Sequence, residues 1–194
     1  MIKILLPAFF LLLSALCYSQ KGYVDGYIIT TTGDTVHGKI KDTHSGFQSA
    51  SRSNHILFKT GDKKETKYKP SDIAAYSKLG MVEYISIKMN LSSEFAEVIE
   101  KGDATLVRVE SNSTTPSMNA NGDLTTSYSI SSETYYIVRN RLDPFLVTTI
   151  SFKNGMKTCF GDYPELMTLI DNKSLKYNDL KLIVKKYNEW KRAN

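Results

Sequence analysis

The sequence predicts an α+β fold, in which an antiparallel β-sheet or small β-barrel of about seven to nine strands precedes two or three C-terminal helices. Up to about residue 140, runs rich in β-branched and aromatic residues alternate with Gly, Asn, Ser and Asp turn signals. Beyond about residue 150, the apolar period changes from two to 3.6. Strands that come first and helices that come last favour α+β over an alternating α/β fold.

The first hairpin has the clearest pattern. Residues 27–31 are β-branched and aromatic, and Gly33 in the following turn can adopt the positive φ that tight hairpins require. Val36, Gly38 and Ile40 then alternate with polar residues. This alternation predicts one buried face and one solvated face.

The remaining β region has weaker signals. Residues 42–53 are a predicted polar loop, and Pro70 is predicted to break a strand and open a short helical turn through Ile73 and Ala74. Residues 94–100 also suit a helix, and residues 112–123 are predicted to be a long surface loop or hairpin tip. The predicted strands are residues 55–59, 65–69, 81–89, 94–100, 104–111, 128–131 and 134–139.

Three helices are predicted after the strands. The first is predicted to end at Gly161, and Pro164 can start the second. In the last helix, an apolar stripe lies opposite Lys181, Lys185 and Arg192. The apolar positions of the first helix are Phe152, Met156, Cys159 and Phe160, those of the second are Leu166, Met167 and Ile170, and those of the last are Leu180, Ile183, Val184 and Tyr187.

Residues 1–20 have the pattern of a secretory signal peptide. Lys3 precedes an apolar core of about a dozen residues, which is shorter than the roughly 20 residues that span a bilayer. Small residues then precede a polar junction, and cleavage after Ser19 would place Cys17 and Ser19 at −3 and −1. The predicted domains are a signal peptide, 1–19, and one α+β domain, 20–194, with a β region at 22–140 and a helical region at 150–192. Lipidation of Cys17 is disfavoured because the large residue Leu16 precedes it.

Charge is unevenly distributed. The chain has 25 basic and 20 acidic residues, and loss of Lys3 with the signal would leave a charge of +4. From Lys173 onward there are seven basic and two acidic residues, so residues 20–172 carry a charge close to zero. The sequence shows no basic face with interleaved aromatic residues, and nucleic acid is therefore not a predicted partner.

Three segments resemble a known group of proteins. Residues 26–40 are similar to the "GYI…GDT…G.I" start of small secreted proteins of Bacteroidota, and residues 68–73 resemble their "Y-K-P-x-D-I" segment. Phe160, residues 164–166 and residues 187–188 resemble their helical tail. The resemblance implies an exported envelope protein with an α+β fold, and it supplies no activity or site. Tyr163 stands where such tails often carry a second cysteine.

The residues that could act in catalysis or metal binding form no recognised motif. The spacings of the three histidines match no metal-ligand motif, and Cys159 lies on an apolar helix stripe, which favours a core position. The acids that could contribute to a dispersed catalytic site are Asp25, Asp34, Asp72, Glu83, Glu97 and Glu110. The tyrosines that could instead bind glycans or peptides by stacking are Tyr23, Tyr27, Tyr76, Tyr84, Tyr128, Tyr135 and Tyr136. The sequence therefore predicts no catalytic residue, cofactor or metal site.

The function predicted from these observations is an exported, non-enzymatic cell-envelope module that binds an unknown envelope protein or glycan. Two alternatives remain open. One is an envelope hydrolase with a site assembled from dispersed residues, so enzymatic activity is left undecided. The other is a peripheral membrane-associated factor that uses the basic C-terminal helix for weak contact with a membrane surface. The predicted location is periplasmic or extracellular, with outer-membrane association left open.

Overall fold

The computed structural model describes residues 22–42, 55–61, 63–89, 92–118, 121, 124–139 and 143–194. The predicted signal peptide, which includes Cys17, lies outside the described residues. So do His44 and most of the predicted loop at 42–53. The strands of the described part are Val24–Thr30 (β1), Thr35–Asp42 (β2), Ile56–Lys59 (β3), Thr66–Tyr68 (β4), Ile73–Lys78 (β5), Glu83–Lys88 (β6), Ser93–Glu100 (β7), Ala104–Met118 (β8), Leu124–Arg139 (β9) and Phe145–Val147 (β10).

These strands form one open sheet in the order β10-β9-β8-β7-β6-β5-β1-β2-β3-β4, and every pair is antiparallel. The prediction of an α+β fold with an antiparallel sheet is confirmed. The helical turn predicted at Ile73 and Ala74 is wrong, because both residues belong to β5. The sequence predicted about seven to nine strands, and the described sheet has ten, among them β5 and β10, which were not predicted.

Strands β8 and β9 form a much longer hairpin than the sequence predicted. Their register runs without interruption from Ala104↔Arg139 to Ser117↔Thr126. The predicted loop at residues 112–123 is therefore wrong over residues 112–118, which are strand. The low apolar content of this segment led to the error, because the segment lacks the alternation of apolar and polar residues from which a strand is predicted.

Strands β1–β5 curl into a roll. A tight turn links β4 to β5, since the N–H of Asp72 donates to the carbonyl of Lys69 at 2.9 Å, which keeps their Cα atoms within about 7 Å. In a flat sheet, the three intervening strands would hold β4 and β5 about 19 Å apart. The roll encloses a core of its own, in which Ile28, Ile40 and Ile56 are at most 2% exposed.

Two glycines permit this curvature. Gly26 of β1 and Gly38 of β2 are register partners whose α-carbons face the interior of the roll. A Cβ on Gly38 would lie 2.6 Å from the Phe58 ring, and one on Gly26 would lie 2.8 Å from the Ile40 side chain. Glycine therefore provides space for neighbouring side chains at the positions where the strands approach most closely.

Three helices follow the sheet, Phe152–Phe160 (α1), Pro164–Asp171 (α2) and Leu180–Ala193 (α3). They cover one face of β7–β10 and enclose the second core. The buried side-chain amide of Asn188 both donates to and accepts from the backbone of Ala104, each at 2.8 Å. The predicted helices are confirmed, and this double hydrogen bond anchors α3 to the first residue of β8.

Candidate functional site

Four lysines share the outer surface of the roll. Lys39 pairs with Lys59 across β2 and β3, while Lys41 and Lys67 both pair with Leu57 from opposite sides. Ile40 and Phe58 point into the roll, so the alternating lysine positions point outward. The surface formed by Lys39, Lys41, Lys59 and Lys67 is called the basic face below.

Tyr23 lies among these lysines. The Lys59 ammonium is 4.6 Å from the centroid of the Tyr23 ring, and the Lys41 ammonium is 5.9 Å from it. The Tyr23 hydroxyl donates a hydrogen bond to the Glu65 carboxylate. Burial, together with this hydrogen bond, raises the pKa of Tyr23 to about 12. The phenol therefore remains a neutral donor at physiological pH and supports the lysine stems without adding negative charge.

The basic face carries a positive balance. Asp25 is the register partner of Lys39, and Glu65 binds Tyr23, so these two acids offset half of the four lysine charges. Lys39 and Lys67 are exposed, whereas Lys41 and Lys59 are half-buried. Aligned ammonium groups of this kind bind phosphate, sulfate or carboxylate groups as point charges. Chemically, the basic face can therefore bind an anionic ligand.

A second feature borders the basic face. Residues 79–82 form the turn between β5 and β6, called the apolar turn below, in which Leu79 is 68%, Met81 58% and Val82 39% exposed. The N–H of Leu79 donates to the carbonyl of Asp25 at 2.6 Å, so the turn is attached to β1 beside the basic face. Contiguous exposed apolar side chains are typical of interaction sites, which makes the apolar turn a candidate for contact with a partner or surface.

The histidines do not form a site in the described part of the chain. His37 packs against Tyr27 edge to face, with ring centroids 5.9 Å apart, on the outer surface of the roll. His55 is half-buried beside β3. Among the described residues, no group of three or more His, Cys, Asp or Glu side chains is arranged to hold a metal ion.

Two of the six candidate acids do come together. Glu97 and Glu110 both contact Arg108, which also donates to Glu133 at 2.8 Å. Hydrogen bonding to Glu97 raises the pKa of Arg108, so this guanidinium remains charged. Tyr135 donates to Glu133 at 2.8 Å. Because each of these carboxylates contacts the same guanidinium, the arrangement is typical of a structural ion network.

Arg139 organises a second network under the helices. It donates to the Cys159 carbonyl and the Tyr187 hydroxyl, and Tyr187 in turn donates to Asp162 at 2.9 Å. Burial alone would raise the pKa of Asp162, but hydrogen bonds from Tyr187 and Lys191 and the charge of Arg139 lower it. These contacts connect β9, α3 and the segment that follows α1, which is a structural role.

Cys159 is a core residue, as the sequence predicts. Its side chain packs in the core under the helices, and the residue is 6% exposed. Burial raises the pKa of the Cys159 thiol from 9.0 to about 11, although the Arg139 charge opposes this shift. The thiolate, which is the nucleophilic form, is therefore disfavoured at neutral pH.

We expect Cys159→Ala to lower the free energy of unfolding by about 1 kcal/mol, because it removes one small buried group. A raised pKa also means that the contribution of the buried thiol to stability is complete below pH 9.0 and is lost as the pH rises toward 11. Urea titrations of both proteins at pH 7 and pH 10 measure the two effects. Rapid labelling of the native thiol at pH 7 would contradict this core assignment.

The candidate tyrosines are divided between faces. Tyr76 and Tyr84 stack with centroids 4.9 Å apart, and Tyr76 is fully buried in the core of the roll. Tyr135 and Tyr136 are neighbours on one strand and therefore point to opposite faces. The side chain of Tyr128 lies outside the described part. Among the candidate tyrosines whose side chains the structure describes, Tyr23 lies beside the ammonium groups of Lys41 and Lys59.

Comparison with known proteins gives no match to a protein-family model, to a curated protein or to a solved structure. In the described ranges, no helix is long and apolar enough to cross a membrane.

The basic face is not apparent from the sequence alone. Lys39 and Lys41 are on the predicted solvated face of the first hairpin, but Lys59 and Lys67 follow Lys41 by 18 and 26 residues. Only the pairing of β2, β3 and β4 brings the four lysines together. The available signal was the repeated alternation of lysine with apolar residues in consecutive short strands.

Proposed function

We propose that this protein is an exported, non-enzymatic binding module of the cell envelope, periplasmic or extracellular, whose basic face binds an anionic envelope component. The observation that carries the proposal is the convergence of four lysines from three strands on one outer surface, two of them beside the Tyr23 ring. The signal-peptide pattern of residues 1–20 supports export. An exported protein is separated from cytoplasmic nucleic acid, which leaves phosphorylated or acidic components of the envelope as ligands.

The hydrolase alternative has less support. The two candidate acids that come together, Glu97 and Glu110, both form ion pairs with Arg108, so they belong to a structural ion network. The C-terminal helix is also a weaker candidate for membrane contact than the sequence indicated, because the apolar stripe of α3 is buried against the sheet. The buried stripe consists of Leu180, Ile183, Val184 and Tyr187.

We expect Lys39→Glu/Lys59→Glu to weaken binding of heparin, used as a soluble model polyanion, by at least about ten-fold at low salt, because reversal of two charges makes the surface beside the ligand four charge units more negative. Wild-type binding should weaken as salt is added, since exposed charges are screened. Isothermal titration calorimetry at two salt concentrations measures both effects.

Lys157→Glu/Lys181→Glu is the matched control. Both of these lysines are exposed on helices, away from the outer surface of the roll, and the double variant has the same net charge as the test variant. Retention of wild-type affinity by this control would attribute binding to the basic face. Equal loss in both variants would mean that only net charge matters, which would contradict the proposal.

A further inference from the structure

We infer that the basic face and the apolar turn together dock the protein on an anionic lipid surface, with the turn inserted at the level of the lipid headgroups. This inference rests on the proposed function, because it names the source of the anionic groups that the basic face binds.

The apolar turn is built to present its side chains outward. Gly80 has a φ of +72°, which glycine adopts without a steric penalty and which allows a tight reversal between β5 and β6. Hydrogen bonds fix both sides of the turn, from the N–H of Met81 to the carbonyl of Lys78 at 2.9 Å and from the N–H of Leu79 to Asp25. The exposed side chains of Leu79 and Met81 therefore project from a well-defined turn.

The turn and the basic face are close to each other. Leu79 is hydrogen-bonded to Asp25, and Asp25 is the register partner of Lys39, so two strand spacings of about 5 Å each separate the turn from Lys39. Tyr23 immediately precedes β1 on the same side. Tyrosine is enriched at the headgroup level of membranes, where its ring is apolar and its hydroxyl remains hydrated.

This combination distinguishes a lipid surface from a soluble polyanion. An anionic bilayer presents phosphate charge directly above hydrocarbon, and surface-bound proteins bury apolar side chains about 5–10 Å into that boundary. A polysaccharide offers negative charge but no apolar phase for Leu79 and Met81. The nearby acids do not cancel the attraction, since Asp25 and Glu65 offset only half of the four lysine charges and Glu83 is paired with Lys101 at 2.7 Å.

Vesicle flotation tests the inference on the full chain. We expect wild-type protein to float with vesicles of phosphatidylcholine and phosphatidylglycerol and not with vesicles of phosphatidylcholine alone. Leu79→Ser/Met81→Ser should reduce the vesicle-bound fraction by at least about ten-fold, because it removes the inserted apolar groups, and should leave heparin affinity within about two-fold. Leu182→Ser, which alters a 45% exposed leucine on α3, is the matched control and should float like the wild type.

The outcomes separate this inference from the proposed function. Heparin binding through the basic face without flotation would overturn the lipid inference and leave the proposed function in place. Unchanged flotation of Leu79→Ser/Met81→Ser would also overturn the inference, because the turn would then contribute nothing. If Lys39→Glu/Lys59→Glu affected neither heparin nor vesicle binding, the proposed function itself would fail. Thermal melting of each variant verifies that it is folded.

Discussion

We expect truncation of the chain after Asn172 to unfold the domain, because α3 closes the core under the helices. Ile183, Val184 and Tyr187 are fully buried, and Leu180 is 4% exposed. Burial of each such side chain contributes roughly 1.5–3 kcal/mol before entropy is counted, and their sum is comparable to the whole stability of a domain. Loss of α3 also removes the Asn188 hydrogen bonds to Ala104.

A single substitution should have nearly the same effect as the truncation. Ile183→Asp places a carboxylate at a fully buried position in the apolar core under the helices, where an unpaired charge is costly. We expect loss of the cooperative thermal transition, measured by circular dichroism. Lys181→Glu/Lys185→Glu is the control, and its thermal midpoint should stay close to that of the wild type because both side chains are exposed.

Either of two results would contradict this expectation. A truncated protein that stayed soluble and melted cooperatively would show that the sheet folds without α3. A charge reversal that was as damaging as Ile183→Asp would show that the exposed side of α3 also contacts the fold. The second result would in addition restore the helix as a candidate for contact with a partner.

The elements that were predicted correctly from the sequence are those with one buried face and one solvated face. In the first hairpin, one face is in the roll and the other is in water, so buried Ile28 and Ile40 alternate with more exposed residues. The same reasoning predicted α3, which has one buried stripe. Strand β5 was missed because Ile73, Ala75, Tyr76 and Ser77 are all buried, which removes the alternation that marks a strand.

Features that depend on distant pairing were beyond sequence reasoning. The four lysines of the basic face belong to strands whose register is set by the fold, and a shift of one residue would turn them inward. Arg139, Asp162 and Tyr187 likewise meet only after the helices fold back over β9. The glycines at 26 and 38 were visible in the sequence, but their role requires knowledge of how tightly the strands curl.

The second large expected effect concerns the close approach of the strands in the roll. We expect Gly38→Val to lower the free energy of unfolding by at least about 3 kcal/mol, which is the upper end of the usual range for overpacked cores. A Cβ at this position would lie 2.5 Å from the Lys59 carbonyl oxygen and 2.6 Å from the Phe58 ring, which is 4% exposed and has little room to move. The clash can therefore be relieved only if β2 and β3 move apart. Urea denaturation measures the loss as a lower transition midpoint.

A second glycine supplies the control for this prediction. Gly61 has a φ of +58°, and among the described residues no atom other than those of its chain neighbours lies within 4 Å of the position of a Cβ. Asparagine tolerates such a backbone, so Gly61→Asn should change stability by less than about 1 kcal/mol. Adding Phe58→Leu to Gly38→Val should recover part of the loss, since it removes the ring but not the clash with the backbone. If Gly38→Val were as stable as Gly61→Asn, β2 and β3 could not approach as closely as the structure places them. The outer faces of these strands would then also diverge, and with them the lysines that form the basic face.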